Sequence, residues 1–421
     1  MKTFTLLLAL AVLPRMLLAT IIHVPADSAT IQSAINGASI GDTIVASPGV
    51  YGGVDYLGKS VTVASEMILY GDSTVVPTTI IDGNVHMSSR HDTASVLYGM
   101  TVLDGSVTTE YRAFAELVHC SINGNVLVGD GYGFSQCNID RSTIIGTVHY
   151  TYGGGSYMTG STVEGDVECW ESPDRYFSNT IITGRIRGEL DAVIFVDSCS
   201  IGSLDGGSYV LYYVSNSLVM GGIERGMHSY YELRNCTILD KLDLGSATVV
   251  LDSTILVVDT DAAVECTWSC GITARCSDVF GFIGDAWIDT NEAEVIIDTA
   301  RVFFADPQFC YPAGGDYHIS ESSPCAPLNN DCDVLIGAFD IGCEAPYKCG
   351  DVNISGGVDI DDVVFLVNYV FLGGPAPTPI EMGDTDCSGF VDIDDIVYLI
   401  QYIFSGGYAP CDIDGDGIPD C

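Results

Sequence analysis

Between Lys59 and Val257 apolar and polar residues alternate in short runs broken by Gly, Asn, Asp or Ser, and no apolar spacing of helical period is sustained. Alternation over a few residues, bounded by turn formers, predicts short half-buried strands joined by tight corners. A polar-Ser/Thr-aliphatic signature recurs in these runs: CSI at Cys120, STI at Ser142, STV at Ser161, NTI at Asn179, CSI at Cys199, NSL at Asn216, CTI at Cys236 and STI at Ser253. The instances lie about 19 residues apart, a period that predicts stacked coils. One coil cannot bury its apolar face, whereas a stack buries a continuous one, each strand bonding to its equivalents above and below. The runs SVTVAS at Ser60, TTIIDG at Thr78 and GMTVLDG at Gly99 extend the series to roughly ten coils.

The stretch SATIQSAINGASIGDTIVASPGVYGG from Ser28 places Ile31, Ala34 and Ile35 at helical spacing, then Gly41, then a strand, so a short helix is predicted to cap the first coil. This pattern resembles the N-terminal part of secreted bacterial right-handed parallel β-helix proteins of the pectin-lyase-like class, over roughly Ile21 to Val257. The resemblance implies an all-β, right-handed parallel β-helix and specifies the fold far better than any activity. The Leu and Asn positions of a leucine-rich horseshoe, the structural rival, are missing. From Asp259 to Pro346 the period is lost, and FADPQFCYPAGGDYHISESSPCAP followed by LIGAFDIGC resembles the closing segment of the same proteins. Its expected role is to cover the edge of the last coil.

The C-terminal region is built on a different repeat. GDVNISGGVDIDDVVFLVNYVFLGG from Gly350 returns as GDTDCSGFVDIDDIVYLIQYIFSGG from Gly383, an offset of 33 residues. Asp351, Asn353, Ser355, Asp359 and Asp362 take positions 1, 3, 5, 9 and 12 of a loop, with Gly356 at 6 and the Gly357 carbonyl at 7. The second copy offers Asp384, Asp386, Ser388, Asp392 and Asp395, with Gly389 at the turn and the Phe390 carbonyl. This is the oxygen-ligand spacing of an EF-hand-type calcium loop. Each loop opens an apolar helix and none precedes it, and the joining GGPAPTP is Pro-rich, so residues 349–410 resemble a type I dockerin. That resemblance implies calcium (Ca2+) at the ligands named, a small α-helical module, and a cohesin domain as partner. Positions 10 and 11, where dockerins display partner-specifying residues, hold Ile360 with Asp361 and Ile393 with Asp394. Ser at position 5 of both loops lowers the ligand charge. The alternative is a calcium-stabilised tail with no partner. The last residues, CDIDGDGIPDC, resemble a thrombospondin type 3 calcium loop, with Asp412, Asp414 and Asp416 as ligands and a disulfide between Cys411 and Cys421 to close it.

Charge and cysteine content narrow the setting. The formal charge of −41 excludes a nucleic-acid partner, which needs clustered Lys and Arg. From Cys349 to Cys421 there are 14 Asp or Glu and no Lys or Arg, a segment that repels itself unless cations neutralise it. MKTFTLLLALAVLPRMLLAT reads as a secretory leader, residues 1–19, cleaved before Thr20, and no later segment is apolar enough to span a membrane. Sixteen cysteines suit an oxidising compartment. Cys120, Cys137, Cys169, Cys199 and Cys236 are expected to be buried thiols, and the later ones staples. The expected organisation is therefore β-helix with N-terminal cap 20–258, Cys-rich cap 259–346, dockerin-like module 349–410 and terminal calcium loop 411–421.

Stacking the coils about 4.8 Å apart sets Asp166, Glu168, Arg185, Arg187, Ser203, Asp205, Glu224, Lys241 and Asp243 on neighbouring outward positions, with His149 one coil earlier. By resemblance to pectate-lyase-like proteins, Asp166, Glu168 and Asp205 are calcium candidates against an acidic sugar, and Arg187 is the candidate base. An inverting glycosidase would instead use two carboxyl groups about 6.5–9.5 Å apart. The other reading is an exposed salt-bridge ladder, in which each pair contributes little. The chain has no NTD, GHG or RIK, the signatures of the lytic and hydrolytic relatives. Tyr157, Phe195 and Tyr212 are expected on one face as a platform for sugar rings. Together these features predict a secreted protein that engages a polysaccharide and is attached through its tail. The alternatives are a polysaccharide lyase or glycoside hydrolase, and a structural surface protein.

Overall fold

In the computed structural model, residues 19–88, 94–109, 112–129, 135–151, 154–171, 174–284, 286–290, 294–343, 349–353, 355, 357–377 and 380–411 are described. The expected leader, apart from Ala19, and the expected ligands Asp412, Asp414 and Asp416 lie outside them. The chain divides into two compact units, Met1–Pro307 with Pro324–Phe339, and Gln308–Ser323 with Asp340–Cys421.

The first unit is a right-handed parallel β-helix of roughly 13 turns with a short N-terminal helix. Its strands are short because each coil must turn three times, and they stack in three parallel ladders. The first ladder runs from Ile21–Val24 and the second from Gly49–Asp55, both reaching the long strand Glu294–Phe303 through Ser269–Phe280, and the third ends at Ile288–Asp289. Along much of each ladder buried and half-exposed residues alternate, which gives each face an apolar column that points inward. On the third face this column is Val148, Val167, Ile186, Leu204, Ile223, Leu242 and Val264, each at most 2% exposed. Burying each such side chain contributes about 1.5–3 kcal/mol, so the stack, not any single coil, carries the stability.

The recurring signature marks the corner between the first and second faces. One residue per coil there is left-handed, including His119 (φ 54°), Arg141 (45°), Gly160 (56°), Asn179 (49°), Ser198 (56°), Asn216 (49°), Asn235 (49°) and Ser253 (53°). The next residue is a buried Ser, Thr or Cys. The hydroxyls of Ser142, Ser161, Thr180 and Ser217 donate to the carbonyl two residues back at 2.9, 2.9, 2.9 and 2.6 Å. Those of Ser161 and Ser217 also accept the N–H of Ser142 and Cys199, both at 3.1 Å. The corner's orphan backbone groups are thus satisfied inside the stack. The instances at Asn179, Asn216 and Ser253 begin on the left-handed residue and the other five one residue later, because Asn and Ser serve at either position.

The stack also continues past the last signature. Strand Ser269–Phe280 bonds to Ser246–Asp252 and Ile255–Val257, and Glu294–Phe303 bonds to it in turn. At the other end the predicted helix spans Ile31–Gly37, with Thr30 and Ser33 forming a capping box and Ile31, Ala34 and Ile35 buried. Lys59 Nζ donates to the carbonyls of Ile35, Asn36 and Ala38 at 2.7, 2.9 and 2.9 Å, closing the helix C-terminus from the next coil.

The five mid-chain thiols are free and buried, as expected. Cys266–Cys270, Cys276–Cys332, Cys310–Cys343 and Cys387–Cys411 are disulfides, and Cys349 is also bonded. Two expectations are corrected. Cys325 is a buried free thiol rather than a staple, seated 3.4 Å from Asp278 Oδ2. Cys411 bonds Cys387, so it does not close a loop with Cys421.

The second unit contains an antiparallel pair, Phe309–Tyr311 with Asp316–Ile319, and two 13-residue helices, Ile360–Leu372 and Ile393–Ser405. Their shared core is Val352, Val363, Leu366, Met382, Ile396 and Leu399. Among the described residues no helix is long and apolar enough to cross a membrane.

Candidate functional site

The two acidic loops fold alike. In the first, Asp351 Oδ1 and Asn353 Oδ1 both accept the Ser355 N–H at 2.9 Å, Ser355 Oγ donates to the Gly357 carbonyl at 3.2 Å, and Asp362 accepts from Asn353 N and Asp359 N at 3.2 and 2.8 Å. In the second, Asp384 Oδ1 and Asp386 Oδ1 accept the Ser388 N–H at 2.9 and 3.0 Å, Ser388 Oγ donates to the Phe390 carbonyl at 3.3 Å, and Asp395 accepts from Asp386 N and Asp392 N at 3.2 and 2.7 Å. Asp359 and Asp392 are helix N-caps, each accepting a backbone N–H at 2.8 Å, and each forms a capping box with Asp362 or Asp395. The donor set fits a hard cation: every group is an oxygen, and carboxylate oxygens of Asp384, Asp386 and Asp395 lie within 4.8 Å of one another. Burial pushes the Asp362 and Asp395 carboxyls above the ordinary range, a tendency that a cation in the loop would reverse.

Ile360 and Ile393, with Asp361 and Asp394, lie in the exposed first turns of the helices. The apolar exposure continues along both helices at equivalent positions, Val364 and Phe371 in one, Val397 and Phe404 in the other.

On the third face of the β-helix the register sets Glu168, Arg187, Asp205 and Glu224 in one outward column, with His149 before Glu168 and Asp243 after Glu224. Asp166 stands beside this column, accepting from Arg185 N at 3.0 Å. The cations are matched at every step. Arg185 lies 3.4, 3.5 and 3.6 Å from Asp166, Asp205 and Glu224, and Lys241 lies 2.8 Å from Glu265. Arg187 lies 2.7 Å from Glu189 and 3.7 Å from Asp205. Its hydrogen bond to Glu189 raises its pKa further above the ordinary arginine range. Burial raises the Asp205 carboxyl, opposed by Arg187 and reinforced by Glu224. Glu189, the actual partner of Arg187, was readable as the next outward position of the same strand.

The aromatic row on the first face keeps the expected Tyr157 and Phe195, includes Tyr176 as well, and has Tyr213 in place of Tyr212. Tyr157, Tyr176, Phe195 and Tyr213 are equivalent by register, with centroids 4.9, 4.8 and 5.1 Å apart and interplanar angles of 12°, 6° and 14°. Tyr212 is instead fully buried, its hydroxyl donating to the Asp205 and Ile186 carbonyls at 2.8 and 3.0 Å and accepting the Gly188 N–H at 2.8 Å. Beside the row runs a depression of about 430 Å³, lined also by Ser178, Asp197, Ser215, Glu232 and Arg234.

No protein-family model matches the chain, and no curated protein matches it either, so the sites rest on their own geometry.

Proposed function

We propose that this chain is a secreted two-part protein, in which the β-helix engages a polysaccharide and the tail is a calcium-dependent, dockerin-like module that attaches it to a cohesin-bearing scaffold or cell surface. The observation that carries this reading is the repetition of two all-oxygen loops that share the same bonds to the Ser, capping and final Asp residues, each opening a 13-residue helix with an exposed apolar row. Chance does not duplicate a ligand set, a capping box and a surface together. The calcium ligands in this reading are Asp351, Asn353, Ser355, Asp359 and Asp362, with the Gly357 carbonyl, and their counterparts at 384–395. Bound calcium would neutralise the loop carboxylates and hold each helix start in place, and Ile360, Asp361, Ile393 and Asp394 would face the partner.

The β-helix is assigned recognition because the charged side chains of its third face are matched into salt bridges, while the aromatic row on the first face borders an open depression. The test is capture of the full chain on immobilised cohesins in calcium. Asp351→Ala combined with Asp384→Ala should abolish it, as should a chelator. Undiminished capture by the double variant sinks the attachment reading.

A further inference from the structure

We propose that the aromatic row on the first face is a binding groove for an uncharged, extended glycan, anchored on the open face of the Tyr157 ring. This rests on the polysaccharide reading above and narrows it to a place and a substrate class. In a stack with interplanar angles of 6–14° the inner rings, Tyr176 and Phe195, have a neighbour over each face and offer solvent mainly their edges. Tyr157 ends the stack. Its equivalent on the preceding coil is Asn138, not an aromatic residue, and Tyr157 is 51% exposed. Asn138 Oδ1 accepts the Tyr157 N–H at 3.2 Å and a Gln136 amide hydrogen at 3.4 Å, so two side-chain amides lie on the coil that precedes the row. Gly155, two residues before Tyr157, puts no side chain on the same outward surface. An open aromatic face for the C–H side of a pyranose, with amides for its hydroxyls, suits one sugar residue.

From that anchor the groove follows the axis. One wall is the edges of Tyr176, Phe195 and Tyr213, and the other is Ser178, Asp197, Ser215 and Arg234 on successive coils. Equivalent groups recur at the strand spacing of about 4.8 Å, close to the advance of an extended glycan per residue, so consecutive sugars meet the same surroundings.

Charge sets the class. Arg234 is paired with Glu232, leaving no cation for a uronate in the groove, and the chain's −41 charge repels one. Asp197 Oδ1 accepts from Ser215 Oγ at 2.7 Å and Asn216 Nδ2 at 2.8 Å, which fixes this carboxylate along the wall.

Calorimetric titration of the full chain with uncharged β-1,4-linked hexaoses (gluco, xylo and manno) and with hexagalacturonate, in calcium and in chelator, tests this. At least one uncharged hexaose should bind, equally in both buffers, and hexagalacturonate should not. Tyr157→Ala should weaken binding about tenfold, equivalent to about 1.4 kcal/mol, with an unchanged melting profile, whereas Arg225→Ala on the third face should leave it unaltered. Binding of hexagalacturonate alone, or uncharged binding that Tyr157→Ala leaves intact, overturns the groove and spares the polysaccharide reading. Absence of binding to every glycan overturns both.

Discussion

Replacing Asp395 by Asn tests the proposed calcium loops at one of their two fully buried carboxylates. Asp395 is fully buried, and its two oxygens accept the N–H groups of Asp386 and Asp392 at 3.2 and 2.7 Å. Asn keeps the shape but has one acceptor oxygen, so one charge-assisted bond is lost, about 1.5–3 kcal/mol without any metal. In calcium the loss is larger. For a loop with a Kd of roughly 10⁻⁵ M, 1 mM free calcium is about 100 times Kd and stabilises the folded tail by about 2.7 kcal/mol. At about 4–8 °C per kcal/mol for a unit of this size, each occupied loop raises the tail's melting transition by about 10–20 °C. Scanning calorimetry of the full chain, with calcium and with chelator, reads this directly. Asp395→Asn should retain only the first loop's share of the calcium shift, about half or less. Asp362→Asn should retain more, because the first loop has Asn353 where the second has Asp386 and so binds with less charge. A calcium shift of the same size in wild type and Asp395→Asn, or no shift in wild type, refutes the reasoning.

Two further outcomes concern the β-helix. Ser142→Ala should lower the urea midpoint at constant m, by about 1–3 kcal/mol, because it leaves the buried Cys120 N–H without the 3.0 Å acceptor it now has. Ser142→Cys, the residue found at the equivalent corners of Cys199 and Cys236, should recover part of that, and a Ser142→Ala midpoint equal to wild type would remove the corner ladder as a source of stability. Asp278 is fully buried, accepts from Ala305 N at 3.0 Å, and has its carboxyl pushed up by burial from 3.8 to about 6. The folded state therefore holds this proton more tightly than the unfolded chain. The resulting stability is full below about pH 4 and lost as pH rises through about 6, a span of about 3 kcal/mol. Asp278→Asn should flatten that part of the pH–stability curve, and an unaltered curve would show that Asp278 is not the group responsible.

What the chain states locally could be read from it directly. The coils announce themselves because every turn must repeat the same alternation and the same small polar corner, and the cap helix and the two acidic loops are patterns of fewer than about 15 residues whose ligands or apolar positions lie close in sequence. Whatever depended on register or on partners far along the chain could not be. Tyr212 and Tyr213 are adjacent tyrosines, yet one step along a strand reverses the side chain, so one fills the core and the other joins the outward row. The coils beyond Val257 escaped notice because their strands, Ser269–Phe280 and Glu294–Phe303, are longer and the signature fades, while the ladder bonds that define them are made by backbone that carries no sequence mark. The pairing of Cys387 with Cys411 and the burial of Asp278 beside Cys325 arise only when the chain is folded. The order of residues determines that this protein is an acidic stack of coils with a duplicated oxygen-rich tail. The tertiary structure decides which aromatic face stays open and which charges are already matched, because both are properties of neighbouring coils and not of any one segment.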